Sequence, residues 1–133
     1  MTRFDSSYKQ TIFFILLIIG WIVVLFVESS QPPLSLLGEV QGLDKVAHFL
    51  AFSVLSLLVC CLSFNLNPRQ QIPLFSMPLI IAILSGITEE SYQMLVPGRA
   101  ASLLDLLADI CGAVSAIFLA NRVVMLFQTN NRG

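Results

Sequence analysis

Between Gly86 and Gly112 the chain reads GITEESYQMLVPGRAASLLDLLADICG, which sets Glu89, Glu90, Gln93, Arg99, Asp105 and Asp109 into the ends of two otherwise apolar segments joined by a tight turn. Upstream, Asp44, Lys45 and His48 open another apolar segment. Buried carboxylates and an imidazole can bind cations or move protons, and an arginine fork can grip a carboxylate or phosphate through two parallel hydrogen bonds. In lipid such groups are costly, so a chain that keeps them there is using them.

The segments that carry these residues are lipid-soluble. Hydrophobic residues make up 56% of the chain and charged residues 11%, with a mean hydropathy of +0.86, far more apolar than a soluble domain. A net charge of -1 without a basic stripe excludes a nucleic-acid surface. Four apolar stretches, at about 11–27, 46–64, 72–96 and 103–119, predict an all-α membrane protein: a four-transmembrane-helix bundle forming one domain over residues 1–133. A cleaved signal peptide is the alternative for the first stretch, with Val27-Glu28-Ser29 as a cleavage point. Its length, Trp21 and the preceding Arg3 and Lys9 suit a retained anchor.

Orientation follows from the basic residues. Arg3, Lys9, Arg69, Arg122 and Arg132 fall on one side and Lys45 and Arg99 on the other, which predicts both termini in the cytoplasm and the 28–44 and 97–102 connections outside. Pro32-Pro33 blocks continuation of the first helix, and Leu34–Leu37 is expected to rest on the outer headgroups. Arg122 is expected to snorkel to the inner headgroups, with the Val123–Phe127 run lying along that interface. A short echo pairs Glu28-Ser29-Ser30-Gln31 with Glu90-Ser91-Tyr92-Gln93, too brief to establish a repeat.

Alternating helices bring distant residues to one membrane face. The expected polar pocket there comprises Lys45, His48, Glu90, Gln93, Arg99, Ser102, Asp105 and Asp109. Gly86, Glu90, Gln93 and Pro97 align at helical spacing, as do Ser102, Asp105, Asp109, Gly112 and Ala116, so both faces are expected to point inward. Glu89 lies about 100° around the helix from Glu90, which leaves it facing another helix or a watery edge. Asp109 lies roughly 10 Å below Ser102 along the axis and is intramembrane.

The ordered set Lys45-Val46-Ala47-His48-Phe49, Glu90-Ser91-Tyr92-Gln93, Pro97-Gly98-Arg99, Ser102, Asp105 and Gly112-Ala113 resembles the VanZ-like family of small bacterial membrane proteins, over about residues 44–116. The resemblance implies a multi-pass protein of the bacterial cytoplasmic membrane, within a cell-envelope family whose namesake is associated with resistance to teicoplanin. It supplies no settled reaction. At Asp109 the family pattern more often has Asn, so this chain carries an extra acid there.

Charge bears on mechanism. Glu89, Glu90, Asp105 and Asp109 outnumber Lys45 and Arg99, so either Asp109 holds a proton or a cationic group completes the site. Arg99 is the expected partner of Asp105, Glu90 or a lipid phosphate. These residues could instead pin the hairpin together. His48 alone reads better as a hydrogen-bonded helix residue than as a ligand in a His48, Glu90, Asp105 metal site, so no metal and no cofactor is assigned. Ala108, Gly112 and Ala116 read as a helix contact within the bundle, and the three cysteines as unpaired.

The first functional reading is a module that binds membrane lipid or a lipid-linked envelope precursor at the outer leaflet. A membrane-embedded enzyme using Glu90 or Asp109 with His48 is one alternative, and a small proton-coupled carrier is another. No metalloprotease, nucleophile-elbow or phosphate-loop motif is present, which weakens the enzyme reading.

Overall fold

The computed structural model describes residues 3–31, 42–68 and 70–130. They form four α-helices: α1 (Arg3–Ser29), α2 (Leu43–Leu66), α3 (Met77–Gln93) and α4 (Leu103–Asn130). Ser7–Ser29 of α1, α2 and α4 are each long and apolar enough to cross a membrane. The expected headgroup contact of Leu34–Leu37 lies outside the described residues, as do the side chains of Arg3, Arg69 and Arg132 that enter the orientation argument.

Helix bounds differ from the sequence expectation most in α1, which begins at Arg3 rather than near 11, and in the third and fourth helices. The third helix is 17 residues, beginning at Met77 rather than near 72 and ending at Gln93 rather than 96. Pro73 and the extended Ser76 (φ -138°) precede it, and Pro78 occupies its first turn, where a missing N–H costs nothing. Its length is roughly 26 Å at about 1.5 Å per residue, against spans of 23 to 28 residues elsewhere. The fourth helix runs 28 residues instead of stopping near 119. No Gly or Pro interrupts Val114–Asn130, so Val123–Phe127 continues α4 rather than forming a separate interfacial piece.

Packing follows from small residues at the crossings. α2 is central and touches each of the other three, while among the described residues α1 meets α2 and α3 but not α4. α2 and α4 approach closely at Gly112, where an added Cβ would lie 2.3 Å from the Phe49 carbonyl oxygen. Ser53 Oγ sits in the same crossing, 2.7 Å from the Phe49 carbonyl and 3.1 Å from that of Gly112. Gly112 and Ala116 are buried, which makes the small-residue stripe an intrabundle contact as expected. Phe52, Leu55, Val59, Ala82, Ala113 and Ile117 fill the core. Phe13, Leu16, Ile19, Phe118, Leu119 and Leu126 point outward, as lipid-facing residues do.

Candidate functional site

Antiparallel helices gather the end of α1, the start of α2, the end of α3 and the start of α4 at one end of the bundle. A cavity of about 280 Å³ opens there. Leu25, Ala51 and Phe52 give it an apolar wall, and Ser29, His48, Glu89, Gln93 and Asp105 a polar one. Trp21 braces that apolar wall by donating its indole N–H to the Ala51 carbonyl at 3.0 Å, which ties α1 to α2.

The turn after α3 explains several of the polar residues. Pro97 and Gly98 (φ +84°) form a tight turn closed by Arg99 N–H to the Val96 carbonyl at 3.1 Å, with the residues and positive φ of a type II turn. Arg99 then reaches across to α1, donating Nε to the Gln31 carbonyl at 2.8 Å and Nη2 to the Glu28 carbonyl at 3.0 Å. It caps the end of α1 instead of pairing with Asp105 or Glu90. Ser102 caps α4: its Oγ accepts the Asp105 N–H at 3.3 Å, while Glu90 Oε2 accepts the Ser102 N–H at 2.6 Å.

Lys45 pairs with two acids. Its ammonium lies 2.8 Å from Asp44 Oδ2 and 3.0 Å from Asp105 Oδ1, bridging acids on α2 and α4. His48 Nδ1 lies 3.0 Å from Asp109 Oδ1, in a residue with no exposure at all. Behind this pair Gly86 gives α3 room beside α4, since a Cβ there would stand 2.9 Å from Leu106 Cδ1 and 3.0 Å from Asp109 Oδ2.

Both adjacent glutamates are buried to 6% exposure, and Glu89 meets another helix, one of the two surroundings its spacing allowed. The 100° between them sends Glu90 to the start of α4 and Glu89 towards α1, where its Oε1 accepts the Ser29 hydroxyl proton. Gln93 Nε2 is 3.4 Å from the same hydroxyl. Ser29 and Glu89 line the cavity and neither stood in the expected pocket. The signal for Ser29 was present in the Glu28-Ser29-Ser30-Gln31 echo: Ser29 meets Glu89, and Ser30 Oγ lies 3.1 Å from Tyr92.

Of the expected set, His48, Gln93, Arg99 and Asp105 line the cavity. Lys45 supports it through Asp105, Ser102 is a helix cap, and Glu90 and Asp109 lie beside His48 at the helix crossing. Among the described residues, Glu89 Oε2, Glu90 Oε1 and Asp109 Oδ2 are buried without a hydrogen-bond partner. Leaving such atoms unpaired costs free energy that packing alone does not recover.

A family model for VanZ/LLP1 matches residues 13–127, which spans α2 and α3 whole, most of α1 and α4, and every residue lining the cavity. The chain belongs to the VanZ/LLP1 family. No curated protein and no solved structure matches it. The family match with three membrane-capable helices makes this a VanZ-type membrane protein.

Proposed function

We propose that this VanZ/LLP1 member binds the polar head of a membrane lipid or lipid-linked envelope precursor in the cavity at the end of its bundle. The proposed setting is the cytoplasmic membrane, with α3 as a fourth crossing, both termini inside and the cavity at the outer leaflet, on the strength of the positive-inside rule. The observation that carries the reading is the cavity's division into an apolar wall and a polar wall with an unpartnered Glu89 oxygen. Lys45 and Arg99 each spend two N–H groups on protein partners, whereas the carboxylate oxygens of Glu89 on the cavity wall are acceptors, one of them without a partner among the described residues. A headgroup rich in amine or hydroxyl donors fits them better than a bare phosphate.

The test is mass spectrometry of lipids that copurify with the intact chain. One lipid class should be enriched over the bulk membrane and lost from Glu89→Gln and Gln93→Ala. A bound population that mirrors the bulk membrane in all three proteins would sink the reading. Because the family's namesake is linked to teicoplanin, glycopeptide susceptibility of cells expressing these variants is the matching phenotype.

The His48–Asp109 contact favours a second reading, acid–base chemistry on the bound head, because a carboxylate that orients an imidazole makes it a better proton acceptor. Conversion of a copurified lipid by the wild-type protein and not by His48→Gln would support it, and an unchanged lipid would remove it.

A further inference from the structure

The crossing of α2, α3 and α4 beside the cavity carries an arrangement that a lipid site does not require. His48, Glu90 and Asp109 each offer one ligand atom, and the three atoms lie within 4.8 Å of one another. We propose that these residues bind one divalent transition-metal ion of the zinc class. Bonds to nitrogen and oxygen near 2.0–2.2 Å set neighbouring ligand atoms roughly 3 to 3.5 Å apart, so small side-chain rotations complete the set. The 3.0 Å between His48 Nδ1 and Asp109 Oδ1 already matches that spacing.

The independent observation is the pair of orphaned oxygens. Among the described residues Glu90 Oε1 and Asp109 Oδ2 are buried without partners, in residues 6% and 0% exposed. Glu90 Oε2 accepts the Ser102 N–H, and Asp109 Oδ1 contacts His48 Nδ1, a contact that becomes a spacing between two ligand atoms when the neutral imidazole turns its Nδ1 lone pair to the ion. Lys45 is committed to Asp44 and Asp105, so it does not neutralise these two carboxylates. A divalent ion would satisfy both atoms and both charges at once.

The donor set decides the class of metal. Calcium and magnesium prefer all-oxygen shells, whereas imidazole with carboxylates suits zinc, manganese and iron. Asp105 is excluded as the third ligand because it faces Lys45. Three protein ligands leave at least one position open, and His48 borders the cavity, so water or the donor atom of a ligand can complete the shell.

The experiment uses the full chain in detergent, free of tags, with Cys61→Ser and Cys111→Ser to remove the exposed thiols. After chelation it is titrated with Zn²⁺ in equilibrium dialysis and with Co²⁺ by visible absorption. One ion per chain is expected. His48→Gln, Glu90→Gln and Asp109→Asn should each weaken Zn²⁺ binding by more than the roughly 10- to 100-fold that loss of an outer-shell partner costs. Asp105→Asn should stay within about tenfold of the parent, because its effect is indirect. Absence of stoichiometric Zn²⁺, Mn²⁺ and Co²⁺ uptake by the parent protein overturns the proposal, as does undiminished uptake by Asp109→Asn. Should a variant fail to fold, the Co²⁺ spectrum of the parent decides: ligand-field bands that Zn²⁺ displaces support the site, and their absence overturns it.

Discussion

The two ends of the bundle bury polar groups in opposite ways. Where α2 ends and α4 passes its middle, the groups are neutral and paired: Asn121 Oδ1 accepts the Ile72 N–H at 2.9 Å, and its Nδ2 donates to the Ile72 carbonyl at 2.9 Å. Asn65 Nδ2 likewise donates to Thr11 Oγ1 at 2.8 Å, joining α2 to α1. At the other end most of the buried polar groups are acids, and among the described residues Glu89, Glu90 and Asp109 each leave one oxygen unpartnered. A neutral amide used on both atoms is a joint. An acid buried with a spare oxygen costs stability, so its retention points to something that binds there.

The largest expected effect comes from the crossing that supports both ends. Gly112→Ala puts a methyl group 2.3 Å from a backbone carbonyl that cannot swing away, so α2 and α4 must separate. The cost should be about 3 kcal/mol, as for severe overpacking, with loss of folded yield and of binding together. Gly20→Ala is its control, since nothing lies within 4 Å of the added atom. Thermal unfolding in detergent should show Gly20→Ala at or above the parent. Equal Tm values for the two variants would remove Gly112 as the common support.

Asn121→Leu should come next, at about 2 kcal/mol, because it strands the N–H and carbonyl of Ile72 together. Tm should fall while Zn²⁺ and lipid binding in the surviving folded protein stay at parent values. Glu89→Gln should do the reverse. The amide keeps an acceptor for the Ser29 hydroxyl and removes a buried charge, so Tm should hold or rise by an amount worth about 1 kcal/mol while the copurified lipid is lost. A drop in Tm for Glu89→Gln as large as that for Asn121→Leu would abolish the distinction between the ends.

How much of this is legible in the sequence depends on which interaction sets each feature. Apolar length and composition reveal a helical membrane protein, because lipid leaves helices as the solution for a chain of this kind. Helical spacing also places Glu90, Gln93, Asp105 and Asp109 on buried faces, since that depends only on the 3.6-residue period. Two things escape it. For Glu89 the spacing leaves another helix and a watery edge both open, and only tertiary packing decides between them by laying α1 over that face. Arg99 has a formal charge that suggests an acid as partner, yet it meets carbonyls, because backbone acceptors at a helix end carry no letter in the sequence. The reach of α4 to Asn130 is missed for a related reason: a drop in hydropathy near Asn121 and Arg122 ends a membrane core but not a helix.

The smallest expected effect concerns Arg99, the charged joint at the binding end. Its guanidinium spans two carbonyls at the exposed end of α1, and a lysine ammonium at the same place satisfies one of them as a point donor. Water can reach the other, so no buried group is stranded, and Arg99→Lys should cost about 0.5 kcal/mol or less. Hydrogen exchange should quicken around residues 28–31 while α2 and α4 keep their protection, which would mark a local fraying of α1. If the arginine only caps α1, lipid binding should fall modestly and in step with that fraying, because Ser29 loses some of its fixed position beside Glu89. Complete loss of lipid from a protein whose α1 exchange is unchanged would instead give Arg99 a direct contact with the bound head. That outcome would move one cation from the scaffold into the site and sharpen the contrast with Asn121, whose amide oxygen and nitrogen are both bonded to the backbone of Ile72.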